Sequence, residues 1–177
     1  MMDKEQNKTI EALKFAIQME IDGKEYYTKA GVESKSKVGK DLFEWLAGEE
    51  DKHRQRFEQI YNELKASKDW PEIPVKREGD KSIKTLFSDA LQKTGRTIQA
   101  EPSEIELIDK AIEMEDKTYN FYKSTSDSAS YEAEKNYYEA IATEERGHYL
   151  MLTDYREYII DPVGWFTKSE HHSMDGG

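Results

Sequence analysis

Two heptapeptides, AGEEDKH at 47–53 and ATEERGH at 142–148, place a glutamate and a histidine three residues apart where a helical stripe is otherwise apolar. They stand 95 positions apart (47 to 142), and the same shift aligns a second block. Ala16, Ile17, Met19 and Glu20 fall on Ala111, Ile112, Met114 and Glu115, and Tyr27 falls on Tyr122. Glu44, Ala47, Glu49, Glu50 and His53 fall on Glu139, Ala142, Glu144, Glu145 and His148, with no gap between the two blocks. Self-similarity at a fixed shift marks a duplicated supersecondary unit. The unit here is a pair of helices, so the chain is expected to fold as two pseudo-symmetric helical hairpins.

Apolar spacing of three and four residues places the helices. The first is predicted over Lys4–Ala30, with the stripe Ile10, Leu13, Ile17, Glu20, Tyr27, a skipped turn at Lys24, and Gly31 as its stop. The second is predicted over Val38–Ala66, with the stripe Phe43, Leu46, Glu50, His53, Phe57, Ile60, Leu64. The third starts near Pro102, a residue suited to a first helical position, and carries Ile105, Ile108, Ile112, Glu115, Tyr119, Tyr122. STSDSAS at 124–130 reads as a turn and cap, and the fourth helix carries Tyr138, Ile141, Glu145, His148, Leu152, Tyr155, Ile159 up to Asp161-Pro162. Residues 67–101 form a long connection in which SIKTLFSDALQKT, 82–94, reads as a short amphipathic helix. A crossover along a four-helix bundle accounts for a connection of that length. The expected organisation is one all-α domain over 1–161 and an irregular C-terminal tail over 162–177.

Composition narrows the function classes. A net charge of −11 disfavours nucleic acid and anionic membrane as partners. No apolar run approaches the ~20 residues of a membrane span, and the polar N-terminus has no secretory signal. With no cysteine, thiolate-held clusters, zinc ribbons and thiol nucleophiles are excluded, which is compatible with a reducing cytoplasm.

Each half contributes one lone stripe glutamate and one Glu-x-x-His on the next helix. At i and i+3 the Glu and His share a face. Four helices would thus bring Glu20, Glu50, Glu115, Glu145, His53 and His148 inward. Charged groups are rarely buried unless paired or bound to metal, and four carboxylates alone would repel one another and take up protons. Two divalent cations neutralise four carboxylates, as in di-iron and di-manganese carboxylate bundles. By analogy with that geometry Glu50 and Glu145 bridge two ions, Glu20 and Glu115 are terminal ligands, and His53 and His148 hold one ion each. Mixed carboxylate and imidazole ligation suits iron or manganese. Tyr27 and Tyr122, two turns beyond Glu20 and Glu115, are candidates to hydrogen-bond those carboxylates, or simply to pack. Glu49 and Glu144 are solvated or support the ligands from behind. Glu113 and Asp116 lie off the third stripe, so Glu115 is the ligand there. His171 and His172 read as surface residues or tail contacts, and Trp165 and Phe166 as packing on the bundle or on a partner subunit.

The segments AIQMEIDGKEYY, AGEEDKH, AIEMEDKTYNFY and ATEERGH resemble the ferritin-like di-iron superfamily, and rubrerythrin-type proteins in particular, from about Glu11 to Asp161. The resemblance implies a ferritin-like four-helix bundle with two iron ions, a manganese or mixed Mn/Fe pair being the alternative, and reduction of hydrogen peroxide or dioxygen. Full rubrerythrins also carry a cysteine-rich rubredoxin domain. This chain has no cysteine, which implies a separate electron donor such as rubredoxin or a flavoprotein. The rubrerythrin pattern has a further glutamate three residues after the third-helix ligand, where this chain has Thr118, so the ligand set is closer to bacterioferritin. A homodimer, with or without exchange of hairpins through the crossover, is the expected assembly. Two other classes remain open on the sequence: ferroxidation with iron storage, and a bundle whose metal is structural only or absent.

Overall fold

The computed structural model describes residues 4–67, 70, 71, 73, 101–165 and 167. Four long helices carry almost all of them: α1, Lys4–Glu33; α2, Lys37–Ser67; α3, Pro102–Asp127; and α4, Glu132–Ile160. No strand occurs among the described residues. α1 packs along α2 and α3 along α4, and α1 also meets α3, so the two repeats fold as hairpins that close into one four-helix bundle. The expected short helix at 82–94 lies outside the described residues. Of the expected tail, residues 162–165 form one more helical turn, with the Trp165 N–H bonded to Asp161 O at 3.0 Å. The Trp165 ring sits edge-on to Tyr158 at 5.6 Å between centroids. His171 and His172 lie outside the described residues, and so does the Phe166 side chain.

Gly31 does not stop α1. The helix runs on to Glu33, and Gly31 lies against α2, where an added Cβ would meet Phe43 Cβ at an ordinary 3.6 Å. The chain leaves the helix at Ser34, whose hydroxyl donates to Glu104 Oε1 at 2.6 Å. A glycine inside a helix costs ~1 kcal/mol of propensity, and packing along the whole element outweighs it. Pro102 occupies the first turn of α3 as expected. Of the STSDSAS segment, Ser124–Asp127 form the last turn of α3, and Ser128 closes it by donating its N–H to Ser124 O at 3.2 Å.

Two apolar clusters fill the bundle. One contains Tyr27, Leu42, Phe43, Leu46, Ile108, Leu152, Tyr155 and Ile159. The other contains Ile10, Leu13, Phe57, Ile60, Leu64, Tyr122, Tyr138 and Ile141. Burial of each large aliphatic or Phe side chain contributes about 1.5–3 kcal/mol. Ile17, Ile105, Ile112 and Tyr119 are only half-buried, while Ala16 and Ala111 take the centre. Small residues there let the helices approach closely. The predicted stripe glutamates and histidines lie on the four helices among these core positions.

Two further buried carboxylates fix the ends of the bundle. Glu104, near the start of α3, accepts from Ser34 Oγ, from the Lys35 N–H at 3.1 Å and from the Tyr155 hydroxyl at 3.3 Å. Gly39 leaves room for it, since a Cβ there would collide with Glu104, Ser34 and Tyr155. Glu134 accepts from the Ser130 N–H at 3.1 Å and from Thr9 Oγ1 at 3.4 Å, securing the start of α4. Burial raises the Glu134 carboxyl above its usual range. Glu104 continues the α3 stripe one turn before Ile108, a signal already present in the sequence.

Candidate metal centre

All six sequence-predicted ligands come together, one or two from each helix. Glu20 on α1, Glu50 and His53 on α2, Glu115 on α3, and Glu145 and His148 on α4 are all at most 4% exposed. Their ligand atoms form two overlapping groups: Glu20, Glu50, His53 and Glu145; and Glu50, Glu115, Glu145 and His148. Within each group the atoms lie within 4.8 Å of one another. Glu50 and Glu145 belong to both groups, the arrangement two bridging carboxylates require. Glu20 and Glu115 belong to one group each.

One atom of each of these six side chains lacks a polar partner. Glu20 Oε2, Glu50 Oε1, Glu115 Oε2, Glu145 Oε1 and the Nδ1 atoms of His53 and His148 are buried without a hydrogen-bond partner. They nonetheless crowd together. His53 Nδ1 is 2.9 Å from Glu145 Oε1 and 3.5 Å from Glu20 Oε2. His148 Nδ1 is 3.6 Å from Glu115 Oε2 and 3.8 Å from Glu50 Oε1. A buried polar atom left unpaired costs about 1–3 kcal/mol, more if charged. Six of them converging on one small volume suit a pair of cations that accept their lone pairs. The donor set, oxygen-rich with one imidazole per ion, fits iron or manganese.

The far sides of several ligands are held in place. Tyr27, on α1, donates a hydrogen bond to Glu115 Oε1 on α3, and Tyr122, on α3, donates one to Glu20 Oε1 on α1. The tyrosines therefore serve the ligand of the opposite hairpin and tie the two repeats together at the site. His53 Nε2 lies 2.9 Å from Glu144 Oε2, with Arg56 Nη1 3.5 Å from the same oxygen. A carboxylate there draws the ring hydrogen to Nε2 and leaves Nδ1 as the free donor atom. Its repeat equivalent, Glu49, bonds Lys52 on its own helix at 2.6 Å. The duplicated sequence thus gives unequal surroundings to the two histidines. His148 instead packs edge-on against Trp45, with centroids 5.4 Å apart.

The electrostatics without metal follow from burial and crowding. Burial, then the charges of Glu20, Glu145 and Glu115, push the Glu50 carboxyl well above its usual range. Burial and Glu145 raise Glu115 to about 8. Burial opposes charge on both imidazoles, but neighbouring carboxylates outweigh it, raising His53 well above its usual value and His148 to about 10. Glu145 moves the other way, since the His148 and His53 imidazoles beside it outweigh its burial and lower it. Without metal the site retains protons that a cation would displace.

One contributor escaped the sequence reading. The skipped turn of the α1 stripe holds Gly23, which is buried against the Glu50 carboxylate. The gap in the apolar stripe was the only signal of it.

No curated protein matched the chain. Among solved structures it is similar to a hypothetical protein, Pfu-1136390-001, from Pyrococcus furiosus, with 27% identity and a TM-score of 0.63 over 86% of this chain and 90% of that one. The sequence profile of the rubrerythrin family matches residues 11–155. With that match, the ferritin-like bundle and the buried glutamate–histidine cluster at its centre, the chain belongs to the rubrerythrin family.

Proposed function

We propose that the protein is a di-iron oxidoreductase that reduces hydrogen peroxide, or dioxygen, at the site formed by Glu20, Glu50, His53, Glu115, Glu145 and His148. The observation that supports it most is the convergence of six unpartnered ligand atoms shared between two groups. A pair of ferrous ions held there supplies two electrons, the number that takes peroxide and two protons to two waters. The chain's own residues set the conditions. Four carboxylates balance the charge of two divalent ions. Tyr27, Tyr122 and Glu144 hold Glu115, Glu20 and His53 in position. The apolar clusters keep bulk water away. The electrons come from a separate donor of the rubredoxin or flavoprotein type, and a homodimer is the working assembly.

The test is anaerobic. Protein loaded with Fe(II) is mixed with peroxide and followed by absorbance and peroxide consumption. One peroxide should be consumed per iron pair oxidised, and turnover should continue when a reductant is added. Iron that stays ferrous in peroxide would rule the proposal out.

A further inference from the structure

The two bridging positions are related by the repeat, yet their surroundings differ. Opposite Glu50, on α1, stands Gly23. The equivalent position on α3 (23 plus 95) is Thr118, whose hydroxyl donates to Met114 O on its own helix at 3.0 Å. A Cβ added to Gly23 would lie 2.6 Å from Glu50 Oε2 and 3.2 Å from Glu50 Cδ, and its three nearest atoms all belong to the Glu50 side chain. No backbone atom is among them. A side chain at this position would meet the Glu50 carboxylate first. The glycine makes room for that one carboxylate.

Glycine in the middle of a helix is unfavourable relative to alanine, so its place there calls for a compensating contact. Glu50 is also the most exposed of the six ligands at 4%, against 1% for Glu145. Beside this position the two helices are bridged by the half-exposed Lys24–Asp51 ion pair at 2.8 Å.

We infer that Gly23 is a positioning residue that makes the α1–α2 edge the opening of the metal site, with Glu50 as the ligand that moves aside there and Glu145 as the fixed one. Space beside a carboxylate is what lets it rotate between coordination modes or swing clear of an incoming ion. At the equivalent position of the other hairpin Thr118 carries a side chain that Gly23 lacks. The inference rests on the metal reading of the site, though not on peroxide chemistry.

The experiment follows Co(II) uptake by the metal-free protein, read by stopped-flow visible absorbance, in wild type, Gly23→Ala and Thr118→Gly. Circular dichroism and melting of each metal-free variant check the fold. Gly23→Ala should slow uptake by about tenfold or more while still reaching the wild-type stoichiometry. Thr118→Gly should accelerate uptake by opening the twin edge. If wild type takes up no Co(II), the metal reading itself fails. If wild type loads but Gly23→Ala loads at the same rate, or folds yet binds none, the opening is not at Gly23. Unchanged uptake in Thr118→Gly likewise overturns it, and that variant decides the matter should Gly23→Ala fail to fold.

Discussion

At the scale of single residues, the candidate metal site depends as much on what stands behind the six candidate ligands as on those residues themselves. Glu144 and Glu49 occupy equivalent positions of the repeat, but only Glu144 reaches a ligand imidazole. Glu144→Gln should therefore weaken metal binding by about 10–100-fold, with little change for Glu49→Gln, as measured by competition with a chelating dye. Tyr27→Phe and Tyr122→Phe remove the hydroxyls that hold Glu115 and Glu20. Each should lower metal affinity, and because the pairs cross between hairpins, each should also cost about 1–3 kcal/mol in chemical denaturation. Protonation supplies a further check. His148 at about 10 and Glu115 at about 8 carry protons in the metal-free protein at neutral pH. Metal uptake must release them, so apparent affinity should climb with pH, with measurable acid release on Co(II) addition in weakly buffered solution. Both groups lie above their unfolded values of 6.5 and 4.5. Their stabilisation of the metal-free fold is complete below those values and disappears as pH rises through about 8 and then 10, so metal-free stability should fall across that range.

At the scale of elements, helix ends are set by side chains that come from far along the chain. The α1–α2 connection is held by Glu104 of α3 through Ser34, the Lys35 N–H and Tyr155. Glu104→Ala should destabilise the protein by about 1–3 kcal/mol in urea, through buried donors left unpaired, without changing metal stoichiometry. The apolar period made the four helices and the order of their stripe residues readable in advance, because one buried face per helix is a local property of the sequence. It misplaced the end of α1. A glycine is a plausible stop by local rules, and only the packing of α2 against Gly31 carries the helix past it.

For the whole molecule, a charged layer between two apolar clusters is tolerable only if its charges are cancelled. Chelation should therefore act on global stability as well as on activity. If free metal is held at about a hundred times its dissociation constant, its removal costs about 2.7 kcal/mol, or roughly 5–10 °C in melting temperature for a chain of this size. Melting in the presence and absence of a chelator measures it, and an unchanged midpoint would count against a metal at the centre. No helix among the described residues is long and apolar enough to cross a membrane.

The sequence by itself determined the duplication, the helical hairpins and the six inward-facing candidate ligands, because period and spacing on a helix fix which residues share a face. The tertiary structure alone decided how the two copies differ. Tyrosines cross to the opposite hairpin, Glu144 reaches His53 while Glu49 turns to Lys52, and Gly23 lies against Glu50 while Thr118 bonds back to its own helix. Those differences arise between helices, where neighbours distant in sequence set distances and burial, and no local periodicity encodes them.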